Sequence, residues 1–306
     1  MGHSIGLQQT SEPGLPIPKM TEQELEQQRA VNWRIDGNAV HTVEEARKFV
    51  EAVGFCLMYP ERTLPRVPSF MAAYAGSAAG LPAAKNAFAD PRAQQATELM
   101  VRLLRERSAF EMILFGEATL VVSAAAFPFF YGLVGDRTPK LPPKTKAQGA
   151  KVSELSAKVF EALQKHGPLS KPQLQEHVGR ETSQAALDRA LAELWSILKI
   201  TRVDYNASAG AFWDVLYRWA PEPVKEGINI SEPEAISALV SKYLETAVAV
   251  EQEDVEQFFS HMTSRSKVRE AVGALLQARE LSLVTIGSKG LIRLAPQPDQ
   301  QRRRNA

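Results

Sequence analysis

The sequence predicts a mainly α-helical chain with small β hairpins, an α+β fold assembled by repetition, and three observations carry that reading. The first is a repeated order of elements. An amphipathic run KVSELSAKVFEALQKHG is followed by PLSKPQLQEHVG, SQAALDRALAELWSILK, ITRVDY, the polar turn NASAG and AFWDVLYRW. Further on, EPEAISALVSKYLETA is followed by VEQEDVEQFFSHM, SRSKVREAVGALLQARE, LSLVTI, the turn GSKG and LIRLA. Both read helix, short helix, long apolar-faced helix, strand, turn, strand. That order belongs to the winged-helix variant of the helix-turn-helix, which most often places its third helix in a DNA groove. The second observation is composition: 306 residues with 44% hydrophobic and 23% charged content suit two or three small soluble domains. The third is that the upstream segments carry helix caps and buried-strand runs of their own.

Charge and cysteine usage exclude several classes. With 36 basic against 35 acidic residues the net charge is +1, so DNA affinity has to come from local patches rather than a global field. The single cysteine, Cys56, rules out an intramolecular disulfide, and His3, His41, His166, His177 and His261 are not spaced as metal ligands. No nucleotide-binding glycine loop or serine elbow is present, and no cofactor or metal is expected. The N-terminus lacks a basic region followed by an apolar stretch, which points to a cytoplasmic protein. The apolar run from Met112 to Val134 is interrupted by Glu117 and Pro128, so it reads as buried strand and helix rather than a membrane span.

In chain order, residues 1–40 read as a polar tail with helical character only in TEQELEQQRAVNWR. The next division, 41–136, is an α+β domain. Thr42 caps a helix with Glu45 three residues on, Val43, Ala46, Val50 and Val53 share its face, and Gly54 ends it. Asp90 and Pro91 open a second helix with the face Ala96, Leu99, Met100, Leu103 and Leu104. FEMILF and ATLVVS follow as buried strands, with Gly116 and Glu117 at a hairpin tip, and FPFFYGLVG as a short helix. The order is not a clean copy of the two later units. Residues 137–151 form a basic, proline-rich linker, whose cations include Lys144, Lys146 and Lys151. A central winged-helix domain occupies 152–226, a C-terminal one 230–296, and a basic tail 297–306.

The third helices of the two later units differ. In the central one, Leu187, Ala190, Leu191, Leu194 and Leu198 face inward and Asp188, Arg189 and Glu193 outward, a face of mixed sign. In the C-terminal one, Arg265, Lys267 and Arg269 sit in the first turns beside free backbone donors, and the hairpin adds Lys289 and Arg293. The predicted DNA contacts are therefore Lys144, Lys146, Lys151, Arg189, Arg265, Lys267, Arg269, Lys289 and Arg293, with duplex DNA as partner; a protein partner is the alternative that the balanced charge allows. Trp195 shares a helix with three leucines and is expected in the core. Trp213, Tyr217 and Trp219 are expected on one face of a wing strand.

Residues 152–294, carried by VFEALQKHGPLSKPQL, LDRALAELWSILKITRV, FWDVLYRW and KYLETAVAV, resemble the winged-helix proteins related to bacterial DNA glycosylases of the AlkZ and YcaQ type. TVEEARKFVEAVGF and FEMILFGEATLVVSAAAFPFFYGLVGD fit the same family in order and spacing. The resemblance implies three tandem winged-helix modules around a DNA-sized cleft. It also implies a catalytic motif of Gln, an apolar residue, then Asp or Gln, whose polar side chains hold a water and stabilise the charge that develops as a glycosidic bond breaks. The comparable place here reads Gly54, Phe55, Cys56, Leu57, Met58, Tyr59, with neither Gln nor Asp. The expectation is thus a glycosylase-related DNA-binding protein with no catalytic residue assigned. An active glycosylase using substitute carboxylates such as Asp36, Glu61 or Glu117 is the rival, and Cys56 among apolar neighbours is expected to be inert.

Overall fold

A computed structural model describes residues 20–296 apart from 117, 150, 151, 207 and the side chain of Phe88. Lys151, Glu117, His3, Arg302, Arg303 and Arg304 thus lie outside the described residues. The chain begins with α1 (Glu22–Asn32), capped by Thr21 and Glu24. Then come α2 (Val43–Val53), β1 (Phe55–Leu57), α3 (Phe70–Ala75), α4 (Pro91–Arg105), β2 (Ala109–Phe115) and β3 (Ala118–Ser123). After α5 (Phe127–Val134) the order returns as α6 (Glu154–His166), β4 (Leu169–Ser170), α7 (Lys171–Val178), α8 (Gln184–Ser196), β5 (Ile200–Asn206) and β6 (Gly210–Val215). Two connecting helices, α9 (Leu216–Trp219) and α10 (Pro221–Asn229), lead to α11 (Glu232–Ala247), α12 (Gln252–Phe259), α13 (Arg265–Gln277), β7 (Leu281–Ile286) and β8 (Lys289–Leu294). The apolar run at 112–134 is therefore two strands and a short helix, and no helix among the described residues is long and apolar enough to cross a membrane.

Helix, short strand, helix, helix, hairpin thus recurs, and the pairing recurs with it. The first sheet has the order β1-β3-β2 and the second β4-β6-β5, both antiparallel. In the last stretch the short strand shrinks to one residue, Val250, which exchanges both backbone hydrogen bonds with Ile292 of β8 (3.0 and 2.8 Å). The segment 42–135, read from sequence as an imperfect copy, has the same element order as the central one. Its disguise is the long connection from β1 to α4, which holds α3 and a 3-10 turn at Ala84–Ala89.

Each long third helix also ends alike. Two residues past α4, α8 and α13 stand Arg107 (φ 56°), Leu198 (φ 51°) and Arg279 (φ 59°) in the left-handed region. The closing bonds match as well: Arg107 N–H to Leu104 O with Ser108 N–H to Leu103 O, Leu198 to Trp195 with Lys199 to Leu194, and Arg279 to Leu276 with Glu280 to Leu275. This is the Schellman closure, which satisfies orphan carbonyls and turns the chain from helix into hairpin.

The first sheet is buried on both faces, which is why its strands read as continuous apolar runs. Phe55, Leu57, Phe110, Leu120 and Val122 face a large core shared with α5, α11 and α12. Cys56, Met58, Ala109 and Val121 face a second core under α2 and α4. The central unit packs its own core around Leu163, Leu174, Leu191, Leu194 and Trp213.

The polar segments at either end of the first unit are also tied down. In the supposed tail, Leu25 and Arg29 of α1 are buried, and Arg29 donates Nε to Ala247 O (2.8 Å) and a terminal nitrogen to Ala249 O. In the supposed linker, Arg137 donates to Gly132 O (2.6 Å), Gly227 O (2.9 Å) and Ile230 O (3.0 Å), clamping the C-terminal ends of α5 and α10. Lys199, 1% exposed, reaches the same segment through Thr138 O (2.5 Å), Leu141 O (2.7 Å) and Asp136 Oδ2 (3.2 Å). Tyr217 and Trp219, expected on the wing strand, lie in α9 instead. The ladder stops at Val215, Leu216 N–H bonds Lys199 O (2.9 Å), and Pro221 starts the next helix.

Candidate nucleic-acid interface

The three third helices are not equally free. Helix α4 packs against β5, where Arg105 Nε donates to Asp204 Oδ1 (2.7 Å), so the hairpin of the central unit covers its C-terminal half. Helix α8 packs against β2, and Trp195 Nε1 donates to Glu111 O (3.0 Å). Helix α13 packs on α11, α12 and β7 of its own unit through Val268, Ala271, Val272 and Leu275. Its outward face carries Arg265, Ser266, Lys267, Arg269 and Glu270, all exposed.

Most of the cations on this unit already hold acids. Lys267 Nζ is 2.6 Å from Glu232, Lys289 Nζ 2.5 Å from Glu251, and Arg269 grips both oxygens of Glu256 at 3.0 and 2.7 Å. Arg269 holds the Glu256 carboxyl below the usual carboxylate range against the upward push of burial. Arg265 is the one α13 cation for which no hydrogen bond or ion pair is found among the described residues. Arg293, half-buried on β8, has its Nε without a hydrogen-bond partner. Lys144 and Lys146 are exposed on the packed strap before α6, and Arg189 is exposed on α8 beside Asp188, which pairs with Lys171. The sequence-predicted cations therefore belong to four elements, with five of them on the last unit.

Residues 54–59 form the end of α2 and the strand β1. Phe55, Cys56, Leu57 and Met58 are buried in the two cores, and burial pushes the Cys56 thiol well up, leaving it un-ionised. Asp36 accepts from Asn38 and Glu61 from Thr63 in local turns, and those bonds lower both carboxyls, so neither is poised to take a proton near neutrality.

Sequence reading missed a different carboxylate. Glu111, on the β2 run FEMILF, is 2% exposed and shares its sheet face with Cys56 and Val121. It borders a pocket of about 680 Å³ between α4 and β5. Its Oε2 lies 3.2 Å from Arg202 Nε on β5, yet neither atom completes a hydrogen bond. The Arg202 guanidinium lies over Trp195 (5.0 Å) and Trp213 (5.5 Å). Tyr59 enters the same pocket and bonds Thr97 Oγ1 (3.2 Å); burial pushes its phenol up, with that bond pulling the other way. The signal available was a lone charge inside an otherwise apolar strand.

The sequence profile described as DNA glycosylase AlkZ-like matches residues 89–306, a span that begins after the 54–59 segment. No curated protein matches the chain. Among solved structures, the Streptomyces sahachiroi DNA glycosylase AlkZ is similar in fold, with a TM-score of 0.54 at 12% identity over 94% of this chain and 72% of that one. With the profile matching well over half of its length, the chain belongs to the AlkZ-like DNA glycosylase family.

Proposed function

We propose that this protein binds duplex DNA through backbone contacts, as three tandem winged-helix units of a glycosylase-related chain that lacks the family's reaction motif. The family match over residues 89–306 carries the reading. It is supported by the threefold recurrence of helix, strand, helix, helix, hairpin and by the exposed, cationic first turns of α13. The apolar burial of residues 55–58 supports the absence of the motif. Backbone binding of this kind releases counterions, so affinity has to fall steeply with salt. Anisotropy of a fluorescent duplex across a salt series tests it. Arg265→Ala, which breaks no ion pair, is expected to lower affinity uniformly across sequences and to reduce the salt slope by about one. No binding even at low salt would defeat the reading and turn the search to protein partners of these units.

The rival reading, an active glycosylase on a substitute carboxylate, is favoured by one observation, the buried Glu111 beside an open pocket. Release of a base from damaged duplex by the purified protein, abolished in Glu111→Gln, would establish it in place of the motif-less reading.

A further inference from the structure

The pocket between α4 and β5 is lined by a charged pair and by aromatic side chains. Glu111 Oε2 and Arg202 Nε line it as an ion pair 3.2 Å apart, with no hydrogen bond completed between them. A carboxylate and a guanidinium that meet through one atom each keep acceptor and donor positions that a ligand can take up. Glu111 and Arg202 reach this place from different units, β2 and β5, and Trp195 on α8 fixes the backbone of the first while flanking the guanidinium of the second.

The walls say what shape the partner has. Met58, Met100 and Val101 form an apolar side, and Tyr59 and Tyr205 bring aromatic rings. Exposed Arg102, Arg105 and Glu98 also border it, with Arg105 held by Asp204. A flat, largely apolar body with polar atoms along one edge fits such walls, since aromatic side chains stack on bases. A phosphate does not fit the interior, because the Glu111 carboxylate would repel it. Arg102, which holds no acid among the described residues, suits a phosphate that stays outside.

The polar end narrows the choice further. An ionised carboxylate only accepts, and its two oxygens suit two adjacent N–H donors. Guanine offers such a pair at N1 and the 2-amino group, with O6 left for a guanidinium; adenine, cytosine and thymine each set an acceptor beside their donor. We propose that this pocket receives a single unpaired guanine, its N1–H and 2-amino group donated to Glu111 and its oxygen accepting from Arg202. Glu111 is then a recognition residue rather than a base for bond cleavage. In its DNA-borne form the inference rests on the duplex-binding reading above, the guanine being one displaced from the stack at the surface that Arg102 and Arg105 border.

Two arms separate the sources of the base. In the first, the full-length protein is titrated at fixed salt with a fluorescent duplex carrying one bulged guanine, the same duplex with a bulged adenine, and the fully paired duplex. The bulged guanine is expected to bind about tenfold more tightly than the paired duplex, the scale of one good bidentate base contact, and the bulged adenine within about threefold of it. Glu111→Gln turns one acceptor into a donor and is expected to abolish the guanine preference while the paired-duplex affinity stays. Tyr205→Ala, which removes a wall without disturbing the Glu111 and Arg202 pair, is expected to reduce the preference too, and melting curves identify a variant that has failed to fold. In the second arm, free guanosine and adenosine are titrated against the protein's tryptophan emission, Trp195 and Trp213 being the two of its four tryptophans that lie against the Arg202 guanidinium. A response to guanosine with no duplex binding would defeat the duplex reading and leave the pocket assignment standing. Duplex binding indifferent to the bulge, with no response to guanosine, would overturn the pocket assignment and leave the duplex reading standing.

Discussion

Arg269 shows how a residue that reads as a phosphate contact can be fully engaged in holding the fold. Its partner Glu256 is 6% exposed, and the bidentate pair supplies the counter-charge that such burial demands. Arg269→Ala should therefore lower stability, by less than for a fully buried pair because the arginine is largely exposed and Gln252 still donates to Glu256. The pH dependence has a definite sign. A carboxyl lowered in the folded state contributes stability that is present above its ordinary value of 4.5 and lost as pH falls through the folded pKa. The deficit of Arg269→Ala against wild type should thus be full at neutral pH and shrink as the carboxyl is protonated in acid, as urea midpoints measured across pH would show; a deficit unchanged across the whole acid range would refute the linkage. Loss of DNA affinity in this variant would be ambiguous, which is why Arg265 is the cleaner probe. At this scale the sequence was partly legible. The cationic side chains of α13 could be seen, but their acids sit on α11 and α12, and only packing brings Glu232 and Glu256 to them. Glu111 was hidden for the opposite reason, since its partner Arg202 belongs to another unit.

The helix ends make the same point for whole elements. Glycine in the left-handed position is the usual sign of a helix C-terminus, and it let the end of α2 be read at Gly54. The ends of α4, α8 and α13 carry Arg107, Leu198 and Arg279 there instead, so the feature that repeats most faithfully in space has no mark in the sequence. A residue with a Cβ pays about 1 kcal/mol for the left-handed conformation. Arg279 is exposed and makes no described side-chain bond, so Arg279→Gly should raise stability by roughly 0.5–1 kcal/mol, seen as a higher urea midpoint at unchanged slope. Leu198→Gly should do the reverse despite its similar φ of 51°, because Leu198 is 1% exposed and fills the shared core. A gain at Leu198, or a loss at Arg279, would show that packing rather than backbone conformation governs these closures. The strands β2 and β3 were legible from their apolar runs alone, whereas the one-residue strand at Val250 has no periodicity to detect.

For the molecule as a whole, the largest core decides whether the repeats behave as beads or as one body. It draws Phe55 and Phe110 from the first unit, Leu198 and Leu216 from the stretch around the second, and Tyr243, Phe258 and Val268 from the third. The rings of Phe55 and Phe258 stack at 5.6 Å, and Tyr243 lies 5.9 Å from Phe258. Charged ties reinforce this joining, since Arg137 clamps α5 to α10 and Arg29 ties α1 to the end of α11. Tandem domains joined by free linkers would unfold in separate steps, but units that share buried aromatics lose one another's core when any of them opens. Unfolding in urea should therefore be one transition, coincident by far-ultraviolet circular dichroism and by tryptophan emission, read in a Trp33→Phe, Trp219→Phe background so that Trp195 and Trp213 of the central unit are the reporters. Phe258→Ala, at the far end of the chain from those tryptophans, should cost about 3–5 kcal/mol and move both signals together. Tryptophan emission that kept its wild-type midpoint in that variant would show the central unit standing alone. A shared shift would mean that the unit bearing the α13 face and the units bearing Glu111 and Arg202 fold as one cooperative body.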